Sequence, residues 1–152
     1  MSFWIFKCNP KRYRLVARMG DSNPRITWLV TRYKTVIAPG DTVFLMEAGP
    51  RRAIRAVMRV DAGPHDMSEM DDEQAYWVER DTETRCRVQG TITHRADLPI
   101  TELEGVEGLE NLSILHGVQQ GTNFRVTDSE GEVILSMIER VEATSENSSA
   151  AE

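Results

Sequence analysis

Two side chains that could hold a planar ligand stand four residues apart early in the sequence. Trp28 offers a broad π surface, and Arg32 carries a planar guanidinium with several N–H donors. If the segment between them turned helically, the two side chains would share one surface. An aromatic ring beside a charged donor suits a flat, hydrogen-bonding ligand. The pair is therefore the first candidate for a binding site.

The segment that follows this pair predicts a tight turn leading into a buried strand. Pro39-Gly40 is typical of a type II turn, because Pro presets its own φ and Gly accepts the positive φ that comes next. Asp41 is expected to fix the turn by accepting backbone N–H groups. Residues 42–46 carry β-branched and aromatic side chains, which favour a strand. The chain should therefore enter this strand at a defined angle.

The composition indicates one globular domain. The 152 residues provide room for a single core, and the apolar fraction of 40% and charged fraction of 28% are ordinary. No apolar run approaches the roughly 20 residues of a membrane span. Residues 3–6 are too short for the core of a signal peptide. We therefore expect a cytoplasmic protein with no membrane partner.

Charge and motif content narrow the classes of function. The net charge of -6 argues against coating nucleic acid by bulk attraction, yet basic residues outnumber acids strongly between residues 7 and 34. Cys8 and Cys86 match no metal or disulfide pattern, so we expect reduced, partly buried thiols. The histidines are scattered, and zinc, phosphate-loop and nucleophile motifs are absent from the sequence. This favours a non-enzymatic protein without metal or cofactor.

Hydrophobic periodicity predicts the order of the elements. Strands are predicted over residues 3–7, 42–46, 53–60, 76–78 and 85–94, with a hairpin connection at 47–52 and loops at 61–75 and 105–111. A first helix is predicted to begin at Asn9-Pro10, where Asn is a common N-cap, with Tyr13, Leu15, Val16 and Met19 facing inward. Residues 98–103 suggest a short helix or turn. A final helix should follow the capping box from Thr127 to Glu130.

This order favours an α+β fold. We expect a curled, mostly antiparallel sheet over residues 1–142 that closes in part into a β-barrel, with helices packed at its rim. Residues 143–152 are small and polar, which predicts a disordered C-terminal tail.

Several blocks, taken in order, resemble the EVE domain, a branch of the PUA-like superfamily related to the YTH domains. The blocks are residues 4–10, Trp28 with Arg32, 39–44, 53–60, 63–64, 111–115, and 119–124 with the final helix, so the resemblance covers about residues 3–141. The late blocks are similar to EVE domains of modification-dependent restriction systems. Eukaryotic members carry Ser-Glu-Pro where Cys8-Asn9-Pro10 stands, and Tyr-His-Ser where Met46-Glu47-Ala48 stands.

The resemblance implies a PUA-like β-barrel module that binds nucleic acid by accepting one modified base in an aromatic pocket. The expected ligand is 5-methyl- or 5-hydroxymethylcytosine, flipped out of DNA. Modified RNA is the alternative, because much of the superfamily handles RNA. A third hypothesis is an enzyme acting on nucleotides or RNA, with His94 and Asp41 as the residues to vary. The restriction-system parallel implies a separate nuclease or ATPase partner.

Individual residues receive roles on this hypothesis. Trp28 would stack on the base, a contact that contributes about 1–3 kcal/mol, against the few kcal/mol needed to extrude a base from a duplex. The other ligand-binding candidates are Asn9, Glu47, Gln120, Thr122, Asn123 and Trp4. Arg32 and the early basic residues Lys7, Lys11 and Arg12 would contact phosphates, which position a ligand without reading its sequence.

Most of these residues also have a purely structural interpretation. Trp4 and Trp77 are expected in the hydrophobic core, and Trp28 would be too without the family pattern. Arg32 could pair with a surface carboxylate, and Glu47 could be a solvated strand-edge residue. Residues 120–123 could form only a turn.

Overall fold

The computed structural model describes residues 1–117 and 120–151, with side chains as far as residue 142. The strands are β1 (Phe3–Cys8), β2 (Arg25–Leu29), β3 (Thr42–Glu47), β4 (Ala53–Met67), β5 (Arg85–Pro99) and β6 (Asn123–Val126). The α-helices are α1 (Leu15–Met19) and α2 (Asp128–Ala151), and 3₁₀ turns cover Asp71–Tyr76, Ile100–Leu103 and Ser113–Leu115.

All of these strands belong to one mixed six-stranded sheet, in the order β2-β5-β4-β3-β1-β6. β1 pairs with β3 in parallel, and the other neighbouring pairs are antiparallel. The α+β class and the mostly antiparallel sheet are therefore confirmed. No backbone pairing joins β2 to β6 in the part of the chain that the structure describes, so closure into a barrel is not confirmed.

A side chain, rather than strand pairing, connects the two outermost strands. Asn123 at the start of β6 donates its Nδ2 to the carbonyl of Leu29 (3.1 Å) and accepts from the backbone N–H of Thr31 (2.8 Å). Asn123 is fully buried. We call this region, residues 29–33 and 122–125, the seam. It holds the curled sheet together at one end.

Two hydrophobic clusters cover the two faces of the sheet. In β1, Trp4 and Phe6 belong to one cluster and Ile5 to the other, because successive side chains of a strand point to opposite faces. The first cluster contains Trp28 and the second contains Ile134 of α2. Both faces of the sheet are therefore covered, one by the folded-back loops and α1, the other by α2 and two 3₁₀ turns.

The turn before β3 has the predicted geometry. Gly40 has φ of 91°, and the N–H of Asp41 donates to the carbonyl of Ala38 (3.1 Å). The Asp41 carboxylate accepts from the backbone N–H groups of Ser2 (2.9 Å) and Ala38 (3.0 Å), and from Nε1 of Trp4 (2.9 Å). Asp41 therefore fixes the turn, as predicted, and also anchors β1 to it.

The predicted start of the first helix is wrong by several residues. Asn9 begins a turn instead: its Oδ1 accepts from the N–H of Lys11 (2.9 Å), and its carbonyl accepts from the N–H of Tyr13 (3.0 Å). The helix begins only at Leu15, and Val16 is 55% exposed rather than inward-facing. Asn and Pro favour turns as readily as helix starts, and here the turn directs Tyr13 inward.

Two further predictions fail because long-range pairing overrides local preference. β4 continues through residues 61–67, where a loop is predicted, since β5 pairs with it across Gly63-Pro64. Residues 76–78 form no strand: Tyr76 ends a 3₁₀ turn, and Trp77 makes an isolated bridge with Tyr13.

The capping box at the start of α2 is confirmed. The N–H of Thr127 donates to Oε1 of Glu130 (3.0 Å), and the N–H of Glu130 donates to Oγ1 of Thr127 (3.2 Å). α2 extends to Ala151, while the side chains of 143–151 and all of residue 152 lie outside the described residues, so the disordered tail stays a prediction. Within the described chain, no helix is long and apolar enough to cross a membrane.

Removing this cap should destabilise the domain modestly. Thr127→Ala leaves the N–H of Glu130 without its side-chain acceptor, which typically lowers the free energy of unfolding by about 1 kcal/mol. Thermal unfolding followed by circular dichroism measures the loss. Ser136→Ala, on the exposed middle of the same helix, is the matched control and should cause no loss. Equal stabilities of the two variants would contradict a role for the cap.

Candidate functional site

A cavity of about 600 Å³ lies where the ends of β1 and β2 meet the chain entering β6. Its size falls in the range of small-molecule and cofactor pockets. Four segments line the cavity, together with the single residues Glu69, Trp77 and Arg87. The segments are residues 7–13 without Pro10, Thr27 to Leu29, residues 48–50, and Gly121 with Thr122. Most of these residues lie in strand ends or in the loops directly joined to them, so the sheet positions the cavity.

Three aromatic rings form one wall of the cavity. Tyr13 contacts Trp28 edge-on, with ring centroids 5.8 Å apart, and also contacts Trp77, with centroids 5.1 Å apart. Trp28 is 6% exposed, so most of its indole packs in the core and only a small part faces the cavity. Trp77 is half-buried. The rings offer a flat ligand an extended apolar surface.

Glu69 fixes the Trp77 side of this wall. Its Oε2 accepts from Nε1 of Trp77 (2.8 Å) and from Nη1 of Arg87 (3.2 Å). Its Oε1 accepts from Oγ1 of Thr27 (2.5 Å) and from the backbone N–H of Met70 (3.0 Å). These four donors occupy the usual acceptor capacity of a carboxylate. Glu69 therefore orients the wall rather than offering a free acceptor to a ligand.

Arg87 lies fully buried behind Glu69. Its Nη2 donates to Oδ2 of Asp81 (2.5 Å), so one guanidinium joins two carboxylates. Its Nε has no hydrogen-bond partner in the described structure. Burial works to raise the pKa of Asp81, but hydrogen bonds from Arg87 and Arg85 outweigh it and hold that pKa below its ordinary value. The carboxylates and Arg87 are thus a charged unit inside the domain.

A second buried network holds Tyr13. Its hydroxyl donates to Oε2 of Glu73 (2.6 Å), while Nε of Arg18 donates to Oε1 of the same carboxylate (2.7 Å). Burial, and then the adjacent Glu73 charge, raise the pKa of Tyr13, so the phenol stays protonated. These hydrogen bonds thereby hold Tyr13 against Trp28 and Trp77.

Cys8 lines the cavity as a neutral thiol. Burial, followed by the nearby Glu47 carboxylate, raises the pKa of Cys8 to about 12. A nucleophilic cysteine needs a lowered pKa, so this residue is chemically inert at neutral pH. Both cysteines are free and partly buried, which confirms the expectation from the sequence.

Basic side chains occupy the β1 side of the cavity. Lys7, Lys11 and Arg12 all line it, and Nζ of Lys7 lies 5.3 Å above the ring of Phe124. Partial burial, with a smaller contribution from Arg52, lowers the pKa of Lys7. An anionic group attached to a bound ligand would meet positive charge here.

The structure brings together part of the predicted site. Trp28, Asn9 and Thr122, with the predicted phosphate-binding residues Lys7, Lys11 and Arg12, line the cavity. Trp28 and Arg32 do not share a helical surface, because Trp28 lies in a strand that ends at Leu29. Trp77, expected in the core, lines the cavity as well.

The other predicted ligand-binding residues lie elsewhere. Trp4 is fully buried and donates to Asp41, and Glu47 is buried with Nε of Arg55 at 3.5 Å from its carboxylate. The side-chain amide of Asn123 is already hydrogen-bonded to the backbone in the seam. Arg32 is exposed, with its guanidinium carbon 5.3 Å from the ring centre of Tyr33, and Gln120 is exposed. None of these five side chains lines the cavity.

Several cavity residues gave no signal in the sequence. Tyr13 looks like a helix-face residue, and the alternation of β5 predicts that Arg87 points to solvent. Glu69 stands within a stretch that is predicted to be a loop. Their roles depend on the segment between β4 and β5 folding back over the sheet, which no local pattern indicates.

Neither a metal site nor a catalytic acid–base pair is evident among the described residues. In the parts of the chain with described side chains, no cluster of three or more His, Cys, Asp or Glu could hold a metal ion. His94 approaches Glu139 and Glu142 of α2 at 3.9 Å, away from the cavity. The carboxylate of Asp41 already accepts hydrogen bonds at its turn from the backbone and from Trp4. The non-enzymatic assignment stays a prediction.

Comparison with known families identifies the class of protein. The model of the EVE domain matches residues 2–137, nearly the whole chain. The protein therefore belongs to the EVE domain family, and the predicted membership is confirmed. A search of curated protein sequences gave no match.

Solved structures share the fold at low sequence identity. A hypothetical protein from Leishmania major superposes with a TM-score of 0.68 at 14% identity, covering 93% of this chain and 97% of that one. Human THYN1 in complex with DNA containing 5-methylcytosine gives a TM-score of 0.62 at 16% identity, covering 91% and 98%. Protein Atu2648 from Agrobacterium tumefaciens gives 0.59 at 14% identity, covering 90% and 92%.

Proposed function

We propose that this EVE domain binds a modified nucleobase that is flipped out of DNA, with 5-methylcytosine or 5-hydroxymethylcytosine as the ligand class. The observation that carries the proposal is the cavity of about 600 Å³, walled by Tyr13, Trp28 and Trp77. A base stacked on an aromatic ring gains about 1–3 kcal/mol. Extruding a base from a duplex costs a few kcal/mol, which stacking and phosphate contacts together can offset.

The basic side of the cavity suits the rest of the nucleotide. With the base against the aromatic wall, its sugar and phosphate lie toward the mouth, where Lys7, Lys11 and Arg12 supply positive charge. Such contacts strengthen binding to any sequence and fix its register. Asn9 and Thr122 are the cavity residues with side chains suited to the polar edge of the base.

A structural neighbour supports the same ligand class. Human THYN1, which shares the fold, forms a complex with DNA containing 5-methylcytosine. At 16% identity this likeness supports a proposal about the class of ligand and says nothing about individual contacts. The assignment of Trp28, Tyr13 and Trp77 therefore comes from the cavity of this chain alone.

The proposed role is recognition without turnover. Cys8 is protonated, and Glu69 is saturated by its own donors, so the cavity offers neither a thiolate nor a free carboxylate as a catalyst. A domain that only recognises a modified base needs an effector to act on the DNA. A separate nuclease or ATPase is the partner that we propose.

Binding to matched duplexes tests the proposal. The duplexes differ at a single position, which carries cytosine, 5-methylcytosine or 5-hydroxymethylcytosine, and fluorescence anisotropy gives Kd for each. Burying one additional methyl group contributes about 0.8 kcal/mol, so the methylated duplex should bind at least about fourfold more tightly than the plain one. Equal affinities for all three would contradict the proposal, and tighter binding of a matched RNA would favour the RNA alternative.

A further inference from the structure

Two exposed arginines flank a pair of aromatic rings at the seam. The guanidinium carbon of Arg125 lies 5.4 Å from the ring centre of Trp4, and that of Arg32 lies 5.3 Å from the ring centre of Tyr33. The Trp4 and Tyr33 rings are 5.0 Å apart. Both charges are therefore held on one aromatic platform, which reduces the freedom that each side chain would lose on binding a ligand.

The seam is continuous with the cavity wall. Leu29 and Thr122 line the cavity, and the seam residue Asn123 binds the carbonyl of Leu29 and follows Thr122 directly. The backbone N–H of Lys7, another lining residue, donates to the carbonyl of Thr122 (2.7 Å). A chain leaving the mouth of the cavity on this side would pass over β6 and meet Arg125.

These two arginines lack the carboxylate partners that six other arginines of the chain have. Within the described residues, neither Arg32 nor Arg125 forms an ion pair, and their recorded side-chain contacts are with rings. Ion pairs with carboxylates are formed by Arg18, Arg55, Arg59, Arg80, Arg85 and Arg87. In a protein with a net charge of -6, the seam therefore presents two arginines that pair with no carboxylate in the described part of the chain.

Negative charge predominates in the segment that carries Glu69 and Trp77. Residues 66–83 contain eight acids and one base, Arg80. Phosphates would be repelled there, whereas the seam would attract them. The charge distribution thus favours one direction for a polyanion that leaves the cavity.

We propose that the DNA strand that delivers its base to the cavity continues along the seam, where Arg125 and Arg32 contact its phosphates. This inference rests on the proposed function and adds a surface and a strand path to it. A planar guanidinium can donate two hydrogen bonds to one phosphate, which makes arginine well suited to this contact.

The salt dependence of binding tests the path. For a duplex, log Kd changes with log salt concentration in proportion to the number of phosphates contacted, by about 0.9 per phosphate. With the methylated duplex, Arg125→Gln and Arg32→Gln should each reduce this slope by about 0.9. The ratio of affinities for methylated and plain duplexes should stay unchanged, because phosphate contacts do not read the base.

Two control variants separate charge from packing. Arg125→Lys keeps the charge and should keep the slope, even if it loosens contact with the Trp4 ring. Arg80→Gln removes an exposed arginine from the acidic segment and should also leave the slope unchanged. Thermal unfolding of every variant shows whether a loss of affinity reflects a loss of folded protein.

The outcomes distinguish this inference from the proposed function. If wild type prefers the methylated duplex while Arg125→Gln and Arg32→Gln keep the full slope, the strand path is wrong and the base cavity stands. The path is also wrong if Arg125→Gln lowers only thermal stability. If the slopes fall as expected but wild type does not prefer the methylated duplex, the seam contacts phosphates and the base-reading function is wrong.

Discussion

Replacing Trp28 with leucine should weaken binding of a duplex containing 5-methylcytosine by about 5- to 150-fold. This range follows from the roughly 1–3 kcal/mol that stacking of one base on an aromatic ring contributes. Trp28 lies in β2, which pairs with β5, and the small exposed part of its indole faces the cavity beside Tyr13, so the sheet holds this part of the wall in place. The measurement is the Kd of Trp28→Leu by fluorescence anisotropy, corrected for the folded fraction.

A buried phenylalanine provides the matched control. Phe44 belongs to the second hydrophobic cluster and is fully buried, and it belongs neither to the cavity lining nor to the seam. Phe44→Leu should therefore lower thermal stability, as Trp28→Leu also will, while the folded protein keeps its affinity. Equal losses of affinity in the two variants would show that Trp28 acts through general stability, and the aromatic wall would not be the base-binding surface.

Arg87→Met should lower the free energy of unfolding by about 3–5 kcal/mol. The substitution preserves most of the side-chain volume but leaves Glu69 and Asp81 without their shared cation, and removing one partner of a buried ion pair typically costs this much. For a chain of this length, each kcal/mol corresponds to about 2–4 °C in Tm. Thermal unfolding followed by circular dichroism should therefore show a fall of about 6–20 °C.

Arg85→Met is the control for this effect. Arg85 also bonds to Asp81, with Nε 3.2 Å from Oδ1, but its side chain is 47% exposed. Exposed ion pairs contribute about 0–1 kcal/mol, so this variant should unfold within a few degrees of wild type. If Arg87→Met were as stable as Arg85→Met, the buried carboxylates would not depend on Arg87, and the account of the wall behind Trp77 would be wrong.

Features determined by neighbouring residues could be predicted from the sequence. The turn at Pro39-Gly40 depends only on its own φ values and on the adjacent Asp41. The capping box from Thr127 to Glu130 depends only on contacts within one helical turn. The strand β3 follows from its β-branched and aromatic residues, and the hairpin into β4 follows from turn residues and from the alternation within β4. The Pro-Gly turn also places Asp41 where it can bind Trp4, which the local pattern does not show.

The interior of the site depends on contacts distant in sequence. Tyr13 is held by Glu73, sixty residues later, and Arg87 by Glu69 across the connection between β4 and β5. Strand alternation predicts that Arg87 points to solvent, because it cannot anticipate that residues 68–84 cover that face. Likewise, the pairing of β2 with β5 places Trp28 in a strand and removes the helical relation to Arg32.

The most direct test of the central claim is a crystal structure of the protein bound to a duplex that carries one 5-methylcytosine. We expect the methylated ring outside the helical stack, in the cavity and against Trp28, with its phosphate toward Lys7 and Lys11. A complex in which the base stays stacked in the duplex and the cavity contains no base would contradict the account.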